Sequence, residues 1–218
     1  MAIGERKPTM RDIAAFKTKK KIFDTAITLF TQHGFEKTTV DDITKFAGVS
    51  KGNFYTHFPS KESVLVEQFR QIDNFYAAAL KTIDSTMSAS DYLILFFDTM
   101  CDYCMNVCGV NVMKVVYMNQ IGLGEKKRIL IDSENREIYA KLRSIVDYGI
   151  ESGSFKTKMD REALVELLAS MARGLIFNWC LFDGDKDLKA MAKPLTNVII
   201  EWLSSEHSVP PVLAGQSL

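Results

Sequence analysis

Proline is nearly missing from this 218-residue sequence: Pro8, Pro59, Pro194, Pro210 and Pro211 are all it has, and residues 60 to 193 contain none. So long a stretch without the strongest helix breaker argues for helix, and Gly109, Gly122, Gly124, Gly149, Gly153 and Gly184 fall where apolar periodicity breaks. Neither repeats nor convincing strands occur. Histidine is scarcer still, with His33, His57 and His207, from which no spacing of nucleophile, base and orienting group emerges. Zincin, phosphate-loop and dinucleotide fingerprints are missing too, so no catalytic residue is nominated, no metal or cofactor is expected, and turnover is not expected. The four cysteines, with nothing resembling a signal peptide, argue against a disulfide framework. The longest aliphatic and aromatic run, Tyr92 to Phe97, is far shorter than the roughly 20 residues a bilayer span requires, so a cytoplasmic location without a membrane partner is expected.

What is present is a composition 47% hydrophobic, enough to bury a substantial core, and an uneven charge. Net charge is zero overall, yet residues 1 to 61 carry 11 Lys or Arg against 6 Asp or Glu, and residues 62 to 218 carry 16 against 21. A polyanion partner is therefore expected for the first part only. Periodicity and breakers predict an all-α chain with helices near 18 to 33, 40 to 47, 51 to 57, 60 to 84, 90 to 108, 111 to 121, 125 to 151, 160 to 182 and 188 to 204. The first 15 residues and the tail from about Glu206 lack a sustained apolar face and are expected to be mobile.

Within the basic part, Ile22, Ala26, Leu29 and Phe30 share one face of the first helix, with Thr18 as its N-cap. Thr39 caps a second helix that turns Val40, Ile43 and Ala47 inward, and Gly48-Val49 forms a tight turn. Ser50 then caps a third helix only about two turns long, marginal on its own in water. Phe54 and Phe58 complete a small core, leaving Ser50, Lys51, Gly52, Asn53, Tyr55, Thr56 and His57 outward, a set of hydrogen-bonding groups suited to phosphates and base edges.

The run LFTQHGFEKTTVDDITKFAGVSKGNFYTHFPSKESVL closely resembles the helix-turn-helix signature of the TetR family of bacterial transcriptional regulators, in register from Ile22 to about Leu65. The resemblance implies that Thr39, Tyr55 and Lys61 bind phosphates, that His57 sits at the backbone, and that Lys51, Gly52 and Asn53 lie nearest the base edges. Asn53 stands where Thr, Ser or Ala is common and is expected to alter the site read, since Asn pairs bidentately with adenine. Three parts are implied: residues 1 to 61 as the DNA-binding domain with its N-terminal arm, 62 to 205 for effector binding and dimerisation, and 206 to 218 as a disordered tail. The fourth helix, with Leu65, Phe69, Ile72, Tyr76 and Ile83 on one stripe, is by resemblance the lever between the first two.

By the same resemblance the central helices enclose an effector. Phe96, Phe97, Met100, Tyr103, Cys104, Met113, Tyr117 and Phe177 are the candidate lining, suited to a hydrophobic or amphipathic molecule, with Asp98 or Asp102 as counter-charges for a cationic one. Core packing explains the same residues about as well. Cys101, Cys104 and Cys108 share one helical stripe, read first as core or pocket lining, with redox sensing and metal binding as alternatives that need a lowered thiol pKa. Leu164, Leu168, Met171 and Leu175 on one helix and Leu195, Val198, Ile199 and Trp202 on the last resemble the family's dimer-forming pair. The sequence thus reads as a homodimeric repressor on a palindromic operator, released by a small effector; the alternative is an architectural or cell-cycle DNA-binding protein of the same fold with no small ligand.

Overall fold

A computed structural model describes residues 9–80, 86–122 and 129–205. It divides the chain into two compact units, Met1–Gln68 and Phe69–Leu218. The expected tail at 206 to 218 and Ile83 lie outside the described residues.

The first unit holds α1 (Met10–His33), α2 (Val40–Ala47), α3 (Lys51–His57) and the start of α4 (Glu62–Ala79). Its core is Ile22, Phe23, Ala26, Leu29 and Phe30 of α1 closed by Ile43, Ala47, Phe54, Phe58 and Leu65. Gly48 ends α2 at φ 62, the left-handed conformation that costs glycine nothing, and its N–H returns to the Thr44 and Lys45 carbonyls. That single residue sets the angle at which α3 leaves.

The start of α1 corrects the sequence reading. The helix begins at Met10, eight residues earlier than expected, and its N-cap is Thr9 rather than Thr18. Thr9 and Asp12 form a reciprocal capping box, whereas the Thr18 hydroxyl donates to the Ala14 carbonyl inside the helix. Residues 10 to 17 are exposed all round, so local capping, not burial, carries those two turns. Part of the arm expected to be mobile is therefore helix; residues 1–8 lie outside the described set.

The second unit contains the rest of α4, then α5 (Ala89–Asp102), a π-helical segment (Tyr103–Cys108), α6 (Val110–Gly122), a 3-10 turn (Ile129–Ile131), α7 (Glu137–Glu151), α8 (Arg161–Leu181) and α9 (Leu188–Ser204). One apolar core runs through it, from Phe69, Tyr76 and Phe96 to Leu164, Trp179 and Leu203. Helix 90 to 108 is thus not uniform: its last turn widens to the i→i+5 pattern, closed where Gly109 N–H donates to the Cys104 carbonyl. Helix 125 to 151 is also corrected, since α7 begins at Glu137 after the 3-10 turn and a loop in which Asn135 donates to the Asp132 carboxylate. α8 has the length and apolar character of a membrane span, but 50% of that window is buried inside the chain, as in a core helix.

Candidate functional site

α3 is seven residues long and depends on its neighbours. The Ser50 hydroxyl accepts from the Asn53 N–H at 3.1 Å, and Phe54 and Phe58 lock the inner face with ring centroids 5.9 Å apart. This turns Lys51, Gly52, Asn53, Tyr55 and Thr56 to solvent and leaves His57 half-buried.

The outward groups differ in what they still have to offer. Both Thr39 donors are engaged: its N–H and hydroxyl reach the Asp42 carboxylate at 2.9 and 2.6 Å, and the hydroxyl holds that carboxyl below its usual range. Thr56 donates to the Gly52 carbonyl at 2.8 Å. Lys61 donates to the Phe35 carbonyl at 2.7 Å and lies 4.2 Å from the Phe35 ring centroid, so its ammonium ties the α1–α2 connection to the start of α4. Lys51 pairs with Asp41 at 2.6 Å, but both side chains are exposed, and such a pair exchanges readily for a phosphate. The Ser50 hydroxyl proton, the Asn53 amide and the Tyr55 hydroxyl have no acceptor or partner among the described residues. All three lie at the cap or on the outer face of α3.

Residues 22–67 match the family model for bacterial regulatory proteins, tetR family. The chain carries a DNA-binding region of the TetR family. A repressor from Rhodococcus jostii (strain RHA1), HTH-type transcriptional repressor KstR2, is 25% identical over 193 residues, 87% of this chain and 93% of that protein. The HTH-type transcriptional regulator RutR of Escherichia coli (strain K12) is 40% identical over 82 residues, 37% of this chain and 39% of its own length. The fold is shared with the transcriptional regulator FadR from Bacillus subtilis in complex with stearoyl-CoA, at TM-score 0.62 and 23% identity over 87% of this chain and 99% of that one. This TetR-family region should read sequence through Asn53. Asn53→Ala is expected to relax preference at one base position per half-site at a cost of about 1–3 kcal/mol there, measured by competition with single-base operator variants. Equal loss on every variant would instead make Asn53 a backbone contact.

A second candidate site lies wholly within residues 69 to 218. It is a cavity of about 50 Å³ whose lining includes Met100, Tyr103, Cys104, Met113 and Tyr117. The structure brings these five expected residues together but not the other three. Phe96 and Phe97 are fully buried core, and Phe177 is 41% exposed, touching Tyr117 with a centroid distance of 5.8 Å. The proposed counter-charges are not at the cavity either: Asp98 is exposed and Asp102 pairs with Lys189 at 2.9 Å. The charged lining is basic, Arg136 and Arg173, both missed in the sequence because Arg136 lies in a loop and Arg173 between apolar neighbours. Burial pushes the Cys101 and Cys108 thiols up to about 12 and raises Cys104 as well, so neutral thiols face the interior there. This supports packing and lining over the thiolate chemistry of a redox sensor or metal ligand.

The dimer residues expected from the sequence need correction. Leu164, Leu168, Leu175 and Ile199 are buried in this chain's own core, so a second copy cannot reach them. Met171 and Trp202 are half-buried against that core, while Leu195 and Val198 are exposed. On α8 the uncovered apolar stripe is instead Leu167, Phe177 and Leu181, with the exposed Gly174 between them. Beyond its own helix backbone, no atom of the described residues lies within 4 Å of where a Gly174 side chain would begin.

Proposed function

We propose that this regulator is a homodimeric repressor that binds a palindromic operator through α3 and is released by an apolar or amphipathic effector taken up within residues 69 to 218. The observation that carries the reading is the outer face of α3, where the proton of a cap hydroxyl, a side-chain amide and a phenol have no partner among the described residues, beside a loosely paired lysine on a three-helix scaffold. Such groups suit phosphates and base edges, and the excess positive charge of residues 1 to 61 supplies the electrostatic footprint.

Effector uptake rests on a different set of residues. The cavity is largely apolar, and at about 50 Å³ it is far below the roughly 300–1,000 Å³ of occupied ligand sites, so an effector would enter by displacing side chains. Met100 and Met113 are suited to that repacking. The FadR structure carries stearoyl-CoA and the R. jostii relative is a repressor, which favours a lipid-like effector over a purely architectural role. The dimer would form through the exposed stripes of α8 and α9, because a two-fold pair presents two α3 helices to two half-sites.

Selection of bound genomic fragments by the purified protein, followed by thermal shift against a lipophilic panel that includes stearoyl-CoA, tests the reading. A recovered palindrome, with a compound that both stabilises the protein and weakens operator binding, is the expected result. Sequence-independent binding that no compound alters would favour the architectural reading.

A further inference from the structure

Arg136 is a charge in an unusual place. Its side chain is 6% exposed, it lines the cavity, and it occupies the N-cap of α7, where the positive end of a helix dipole disfavours a cation. Its guanidinium lies 4.8 Å from the Phe69 ring centroid and donates through Nε to Asp73 Oδ2 of α4 at 2.7 Å. The other guanidinium bond is long, 3.4 Å from a terminal nitrogen to the Ile129 carbonyl. The pair is not the two-pronged arrangement the groups permit, because Asp73 Oδ1 is buried without a hydrogen-bond partner among the described residues.

A buried ion pair with one oxygen left unsatisfied gains little over its desolvation cost, and so is easily exchanged for a better one. Asp73 does not line the cavity, whereas Arg136 does. A molecule in the cavity therefore meets the cation and not the carboxylate. The second basic lining residue is already engaged: Arg173 donates to Glu166, to Ser170 at 2.7 Å and to the Tyr139 hydroxyl. Among the described residues, Arg136 thus has donors to spare.

From this geometry we propose that Arg136 is the receptor for an anionic head group on an amphipathic effector, and that the head group binds by taking Arg136 from Asp73. The inference rests on the effector reading above and adds to it the charge of the ligand and the bond it replaces. α4 begins at Glu62 in the first unit and carries Asp73 in the second, so a carboxylate released at Asp73 acts on a helix that both units share. A half-buried Asp73, its side chain 17% exposed, with both oxygens unpaired favours a rearrangement of α4 that returns it more fully to water.

The test uses the full-length protein and a series of octanoate, dodecanoate and hexadecanoate beside their methyl esters and the corresponding alkylamines, with binding followed by calorimetry and operator affinity followed in parallel. At least one carboxylate is expected to bind roughly tenfold or more tighter than its ester and amine partners. The double variant Asp73→Asn/Arg136→Gln, which leaves no orphaned charge, is expected to fold and to lose that preference while still binding the esters. Asp73→Asn alone frees Arg136, so carboxylate binding should strengthen several-fold while ligand-free operator affinity falls; a purely structural pair would weaken both. No carboxylate binding better than its neutral partner, including no binding at all, overturns the proposal, as does a preference that survives the double variant. Esters that release operator while carboxylates show no advantage would overturn the anion receptor and leave the effector reading standing. Carboxylates that bind through Arg136 without touching operator affinity would overturn the exchange with Asp73 and the effector reading, and leave only an anion site.

Discussion

Val198→Asp is expected to yield a folded monomer whose operator affinity falls by about 10²–10⁴-fold, although no residue near α3 has changed. Val198 is 63% exposed on α9, and Leu181 is 65% exposed on α8, with Leu167, Phe177 and Leu195 extending the same uncovered stripes. If a two-fold mate covers them, each copy inserts an unpaired carboxylate into an apolar interface, and the cost of several kcal/mol is incurred twice. Each monomer then holds one half-site and loses the gain from simultaneous engagement. The neighbouring residue provides the control. Ile199 is 8% exposed and belongs to the chain's own core, so Ile199→Asp should unfold the second unit rather than merely separate two copies. Sedimentation and circular dichroism of the two variants decide the matter: a Val198→Asp protein at dimer mass that binds operator normally would place the interface elsewhere.

Gly149→Ala should cost about 3 kcal/mol or more and lower the melting temperature by several degrees. Gly149 is buried near the end of α7, and a methyl group there would overlap the Phe155 ring, lying 2.6 Å from its Cγ. The ring cannot easily withdraw, because the Phe155 N–H donates to the Gly149 carbonyl at 2.8 Å and the ring is itself 3% exposed. Main chain and side chain of the same residue hold the two positions together. Thermal denaturation of Gly149→Ala in the wild-type and Phe155→Leu backgrounds measures the coupling. A cost unchanged by the smaller side chain would mean that the loss arises from somewhere other than the ring.

The limits of reading this fold from sequence are physical. α2 and α3 were legible to the residue because each has its own punctuation: Thr39 and Ser50 at the caps, Gly48 between them, Phe58 and Pro59 after. The start of α1 was misjudged because an apolar face was sought where the signal was Thr9-x-x-Asp12, a cap that needs no core behind it. α8 shows the harder problem. Leu164, Leu168 and Leu175 alternate with Leu167, Phe177 and Leu181, two apolar stripes on one helix, and periodicity cannot say which one the chain keeps for itself. At the cavity, five of the lining residues expected from the family resemblance are in place, but Arg136 comes from a loop and has no periodic signature. Its role depends on three-dimensional proximity to Asp73, 63 residues away.

The two turns of α1 that precede its core contacts give one helix two kinds of motion. From Ile22 to Phe30 the backbone is held by the packing of the first unit, and its hydrogen bonds open only when that packing is lost. From Met10 to Lys17 no side chain is buried, and the bonds depend on the Thr9–Asp12 cap alone, so this segment frays and re-forms on the fast timescale of an isolated peptide helix. Arg11 and Lys17 ride on the fast part, and Lys19, paired with Glu67 at 2.9 Å and lying over the Phe58 ring, is the first basic residue held by the packed unit. A polyanion approaching α1 therefore meets two charges whose positions average over many conformers before it meets one that stands still.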